Sequence, residues 1–83
     1  AISSLQDMIR ERPQDMGLRQ RLGEVYLSIG MKEEAIAELD ALGELQLEAG
    51  LEEEARRTIQ RIISLGPEDI EPYRQLLERL GGL

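Results

Sequence analysis

Eighty-three residues make one domain at most, and such a chain buries only about 60% of the surface it exposes when unfolded. It has no cysteine and no histidine, which excludes disulfides, thiolate or imidazole metal sites and histidine acid–base chemistry, and with Tyr26 and Tyr73 as its only aromatics base-stacking platforms are hardly available. Seventeen acidic residues against ten basic ones give a net charge of −7, which repels nucleic acids and anionic membranes and favours neutral or basic partners.

The opening Ala1-Ile2-Ser3-Ser4-Leu5 has neither the basic flank nor the apolar run of a targeting segment, and a cytoplasmic setting is expected. The missing initiator Met and the start inside a helix point to a piece of a longer chain. Ser3 and Gln6 have capping-box spacing and open a first helix with Leu5, Met8 and Ile9 on one stripe, stopping before Pro13. A second helix runs from about Asp15 to Ile29, with Leu18, Leu22, Val25, Tyr26 and Ile29 at three- and four-residue spacing, and Gly30 ends it. The third starts near Lys32, where Glu33 and Glu34 suit the positive end of the helix dipole, and nothing stops it firmly before Gly50. Glu52, Glu53 and Glu54 repeat that arrangement at the head of a fourth helix carrying Ala55, Ile59, Ile62 and Ile63 and ending at Gly66. Pro67 is expected to open a fifth helix, with Ile70, Tyr73, Leu76, Leu77 and Leu80 on its apolar side.

Internal similarity carries the most information. Leu22-Gly23-Glu24-Val25-Tyr26-Leu27-Ser28-Ile29-Gly30 followed by Met31-Lys32-Glu33-Glu34-Ala35 is matched by Leu42-Gly43-Glu44-Leu45-Gln46-Leu47-Glu48-Ala49-Gly50 followed by Leu51-Glu52-Glu53-Glu54-Ala55. Leu-Gly, an aromatic three residues on, a turn glycine, a small residue, a large apolar residue and a closing proline together resemble the tetratricopeptide repeat. The second copy fits with Leu42, Gly43, Gly50, Ala55, Ile59, Ile62 and Pro67, and departs at Gln46, where the first has Tyr26. In the same register Pro13 closes a preceding repeat and Tyr73 supplies the early aromatic of a following one. Helix-interior Gly23 and Gly43, facing Ala35 and Ala55, are expected where neighbouring helices pass very close.

Tetratricopeptide copies lie about 34 residues apart, yet Leu22 and Leu42 are separated by 20. The resemblance, so compressed, implies an all-α domain over residues 1–83 made of antiparallel helical hairpins in an α-solenoid. A half repeat (1–13), a first repeat (14–50), an overlapping second repeat (36–67) and a closing half repeat (68–83) give about five helices. One long shared helix, about 31–49, then serves as the end of one repeat and the start of the next, roughly 28 Å long. It either packs between residues 15–29 and 51–65 of its own chain, or holds the halves apart so that each pairs with another copy in a swapped homodimer.

No residue cluster supports catalysis. Consecutive glutamates diverge by about 100° on a helix and cannot converge on one cation; Ser28, Thr58 and Ser64 have no histidine to activate them, and the lone Lys32 sits at an exposed helix start. The chain is therefore expected to be no enzyme and to use no metal or cofactor. The resemblance implies instead a groove lined by the first helix of each pair, onto which Gln20, Glu24, Asp40, Glu44, Arg74 and Glu78 map. That face is acidic, which favours a neutral or basic peptide or helix of another protein. The alternative is structural, a self-associating or spacer segment, for which apolar stripes left exposed on the first helix (Leu5, Met8, Ile9) and the last (Leu76, Leu77, Leu80, Leu83) would serve as docking ends.

Overall fold

The computed structural model describes residues 2–81 and is all-helical over that range. Five helices follow one another: α1 (Ile2–Glu11), α2 (Met16–Ser28), α3 (Lys32–Glu48), α4 (Glu52–Leu65) and α5 (Glu71–Arg79). Links of three to five residues return each helix antiparallel against the one before it, and every helix packs on its neighbours in the chain. The molecule is a slab of 36 × 27 × 14 Å. Its thin dimension matches two helix layers about 9–10 Å apart, each adding a backbone radius of about 2.3 Å. Two contacts show how the layers alternate. Glu24 of α2 pairs with Arg61 of α4, and Tyr73 of α5 bonds Asp40 of α3, so even helices share one layer and odd helices the other.

A long third helix is present as α3, unbroken from Lys32 to Glu48, and it packs on α2 and on α4. Six of its residues are buried, Ala35, Ile36, Leu39, Leu42, Gly43 and Gln46, spread over more than one stripe as a helix held from two sides requires. One core cluster joins Leu5 and Ile9 of α1 to Leu22 and Tyr26 of α2 and Ala35 of α3; a second joins Ile36, Leu39 and Leu42 of α3 to Ile62 of α4.

The twenty-residue repeat is reproduced in backbone detail. Gly30 and Gly50 both take left-handed conformations, at φ 80° and 78°, which favour a residue without a Cβ. The next residue closes the turn: Met31 N–H donates to the Tyr26 carbonyl, and Leu51 N–H to the Gln46 carbonyl, both at 2.8 Å. These are Schellman closures, and each delivers the chain directly into the next helix. Gly66 is left-handed too, at φ 78°, but Pro67 follows it and has no N–H to close the turn. Residues 66–70 consequently remain non-helical.

Pro67 therefore does not open the last helix, contrary to the expectation from sequence. The helix begins at Glu71 with Pro72 in its first turn, and Asp69 Oδ1 accepts from Glu71 N–H at 3.0 Å. A helix begun at Pro67 would have carried Pro72 into its second turn, where the ring removes a hydrogen bond and clashes with the carbonyl four residues back.

The capping box at Ser3 is likewise absent, because the helix already runs through Ser3 and Gln6 reaches across instead, donating from Nε2 to the Tyr26 hydroxyl at 2.8 Å. Asp15 does cap α2, accepting from Leu18 N–H at 3.1 Å. Leu5 and Ile9 are buried against α2 rather than left as a docking stripe, while Met8 is 43% exposed. Ile29, placed on the apolar stripe of α2 by its spacing, lies past the helix end and is 54% exposed. On α5 Leu77 is buried and Leu76 and Leu80 are half-buried, while Leu83 lies outside the described residues. No described helix is long and apolar enough to cross a membrane.

Candidate functional site

With α2 and α4 side by side in one layer and α3 and α5 in the other, each pair leaves a groove on its own face. The groove between α2 and α4, about 280 Å³, has Leu39 and Leu42 of α3 as its floor and is polar elsewhere. Gln20 of α2 faces Arg57 and Arg61 of α4 across it. At one end Gln46, 8% exposed, shares a 2.7 Å hydrogen bond with the Thr58 hydroxyl. Arg61 also makes a two-point contact with the Glu24 carboxylate, one arm at 2.8 Å. The contact holds the Glu24 carboxyl below its ordinary range, chiefly by hydrogen bonding, against a smaller opposing effect of burial.

The groove between α3 and α5, about 310 Å³, has a different character. Ile59 and Ile62 of α4 form its floor, with Leu47 of α3 and Pro72 and Leu76 of α5 as walls. Asp40 and Glu44, one turn apart on α3, stand on one rim, and Asp69 in the 66–70 link stands on another. No lysine or arginine lines it. The Tyr73 hydroxyl donates to Asp40 Oδ2 at 2.8 Å and fixes α5 against α3. Partial burial and, behind it, the Asp40 carboxylate push the Tyr73 phenol up to about 12.

The six residues expected to line one groove are distributed over three surfaces. Gln20 and Glu24 belong to the α2/α4 face, and Asp40 and Glu44 belong to the α3/α5 groove. Arg74 lies on the outer side of α5, beside Gln60, Ile63 and Leu77, where it pairs with Glu71 at 3.3 Å; Glu78 is exposed one turn further along. The cause is the shared helix. Counting α3 as both the second helix of one repeat and the first of the next shifts the alternation by one, so α2 falls in one layer and α3 and α5 in the other, while Arg74 and Glu78 stand on the side of α5 away from the groove.

Several groove residues carried no flag in the sequence. Asp69 and Pro72 sit in what reads as a continuous fifth helix, and Ile59 and Ile62 read as ordinary core positions. Gln46 did leave a signal, as the polar residue where the other copy has a tyrosine; it is buried, and Thr58 is its partner.

The helix-interior glycines do not mark the close approach expected of them. A Cβ at Gly23 would lie 3.7 Å from Leu39 and Glu38 side-chain atoms, and one at Gly43 3.7 Å from Thr58 Cγ2, which are ordinary contact distances. Among the described residues no three carboxylates are grouped so as to hold a metal ion. No protein-family model, curated protein or solved structure significantly matches the chain.

Proposed function

We propose that the chain is a protein-interaction module of tetratricopeptide-like construction, which binds a segment of a partner protein in the groove between α3 and α5. The observation that carries the reading is the pairing, in one concave site, of an apolar floor with a rim of charge of a single sign. Concave, mainly apolar surface with a few convergent polar groups is how proteins hold ligands, and the absence of histidine and cysteine leaves little there beyond binding. The repeat copies support the architectural part, since the same turn bonds recur twenty residues apart. A scaffold of this kind works in the cytoplasm without disulfides or cofactors, which agrees with the composition.

Selection of a random peptide library on the wild-type chain, counter-selected on a Leu76→Asp variant, tests the proposal. Peptides enriched on the wild type and lost on the variant are the expected result. A library that yields no sequence discriminating between the two overturns it.

A structural role by self-association is the second reading, favoured by exposed Met8 and Leu51, 43% and 37% accessible. Light scattering distinguishes it, because a concentration-independent monomer mass removes this reading and leaves the first.

A further inference from the structure

The rim of the α3/α5 groove is built from carboxylates that the chain itself leaves without cations. Asp40, Glu44 and Asp69 all line the groove, and among the described residues none of them forms an ion pair. Asp40 accepts one hydrogen bond, from the Tyr73 hydroxyl to Oδ2, and Asp69 one, from Glu71 N–H to Oδ1; each has a second oxygen available. Two carboxylates that reach a neighbouring helix elsewhere are matched by arginine. Glu38 is matched by Arg19 at 3.0 Å, and Glu24 by Arg61. Basic residues are present, but among the described residues none lines this groove; Lys32, whose Nζ lies beside Gly66, borders a separate cavity with Glu68 and Asp69 and pairs with neither.

Three unmatched carboxylates around an apolar floor in a chain of net charge −7 create a negative potential that the low-dielectric floor concentrates. A cation on the ligand relieves that repulsion, whereas an anion adds to it. The floor of Ile59 and Ile62, with Leu47 and Leu76 beside it, shares one groove with these carboxylates. A cavity of about 310 Å³ admits side chains but not a whole helix of about 10–12 Å diameter, so the ligand backbone stays on the rim. The carboxylates stand on different elements, α3 on one side and the 66–70 link on the other, and so bracket the cavity.

Resting on the groove reading above, we infer that its ligand is a basic segment in which one aliphatic or aromatic anchor is flanked on both sides by lysine or arginine. The anchor seats on Ile59 and Ile62. The flanking cations meet Asp40 and Glu44 at one end and Asp69 at the other. The α2/α4 groove, lined by Arg57 and Arg61 as well as Glu54, offers no rim of a single sign to such a segment.

The test is an amide chemical-shift titration of the full chain with three synthetic peptides: Gly-Lys-Lys-Leu-Lys-Lys-Gly, the same peptide with Gly in place of Leu, and the same peptide with Glu in place of every Lys. The first peptide is expected to shift Gly43, Leu47 and Leu76. Its affinity is expected to fall at least tenfold on loss of the anchor, on charge reversal, and in a Glu44→Gln/Asp69→Asn variant, which keeps an acceptor for the Glu71 N–H at position 69. The affinity should also weaken with added salt. Equal binding of the acidic peptide, unchanged binding by the variant, or no shifts at all would each overturn the inference. If the acidic or anchor-free peptide shifts the same residues as strongly, the groove reading survives and only the basic-anchor ligand is lost. If the shifts map to Gln20, Gln46 and Arg57, both are lost. If dilution of the protein alone reproduces the groove shifts, the occupant is a second copy, and the inference is overturned in its favour.

Discussion

Tyr73 of α5 and Asp40 of α3, 33 residues apart, are joined by a 2.8 Å hydrogen bond in which the phenol donates to the carboxylate. The bond holds the short last helix, nine residues and too short to persist alone, against α3. It also favours the neutral phenol, so the Tyr73 pKa is raised to about 12 by burial and by Asp40. A group whose folded pKa lies above its unfolded value of about 10 contributes fully below that value. Its contribution is lost as the phenol ionises, so stability should decline between pH 10 and about 12. Denaturant unfolding over that window in wild type and Tyr73→Phe checks this. The variant should lose no more than about 1 kcal/mol at neutral pH, since the half-buried Asp40 can turn to water, and should lack the part of the alkaline decline that Tyr73 supplies.

Substituting alanine for Gly23 or Gly43 is expected to stabilise the fold. Glycine inside a helix is less favourable than alanine by about 1 kcal/mol, and the added Cβ meets its neighbours at 3.7 Å, so nothing must move. Each single variant should gain about 0.5–1 kcal/mol in denaturant unfolding, with the m-value unchanged. Gly30→Ala and Gly50→Ala should go the other way by about 1–2 kcal/mol, although no atom lies within 4 Å of the new carbon, because the left-handed backbone is at fault. A loss of stability in Gly23→Ala would show that the helices are closer than the structure has them.

Thr58 of α4 donates to Gln46 of α3 at 2.7 Å, a hydrogen bond between two buried side chains that joins the helices. Thr58→Val keeps the shape and removes the hydroxyl, stranding the Gln46 amide, and should destabilise by about 1–3 kcal/mol. Adding Gln46→Leu removes the stranded group as well, and the double variant should recover most of the loss. Thermal unfolding of the two singles and the double measures this. Additive losses would mean that the pair does not act as a unit.

Helix number, the unbroken shared helix and the left-handed glycine turns were all legible, because they depend on local chemistry repeated at a fixed interval. Gly30 and Gly50 stand twenty residues apart in the chain and adopt the same conformation in space. The groove was not legible in the same way. Asp40 and Glu44 were placed on a binding face, but with Gln20 and Glu24, which lie on the opposite layer. The layer to which a helix belongs depends on how many helices precede it, and reading α3 as part of two repeats shifts that count by one. Asp69 escaped notice because Pro67 and Pro72 are equivalent as helix-start signals. What separates them is that Pro67 occupies the one position in the Gly66 turn where an N–H is needed to lead straight into a helix.

The ion pair of Glu24 with Arg61 spans α2 and α4 across the polar groove, yet it should contribute little. Both side chains are well exposed, 47% and 39% accessible, and pairs of that kind are typically worth about 0.2–1 kcal/mol. The geometry is two-pronged, which favours the upper part of that range. A double-mutant cycle of Glu24→Ala and Arg61→Ala is expected to give a coupling of about 0.5–1 kcal/mol in low salt, shrinking as ionic strength rises. The Glu24 pKa is lowered, so its contribution is present above the ordinary carboxylate range and disappears as pH falls through the folded value. Arg19 and Glu38 give the contrast. That pair bridges α2 and α3 at 3.0 Å with side chains only 22% and 17% accessible, and the Nε of Arg19 is buried with no partner. Glu38→Ala leaves a mostly buried guanidinium uncompensated and should destabilise by about 2–3 kcal/mol, less steeply dependent on salt. Equal losses at the two sites, with equal salt dependence, would show that burial does not set the strength of these bridges.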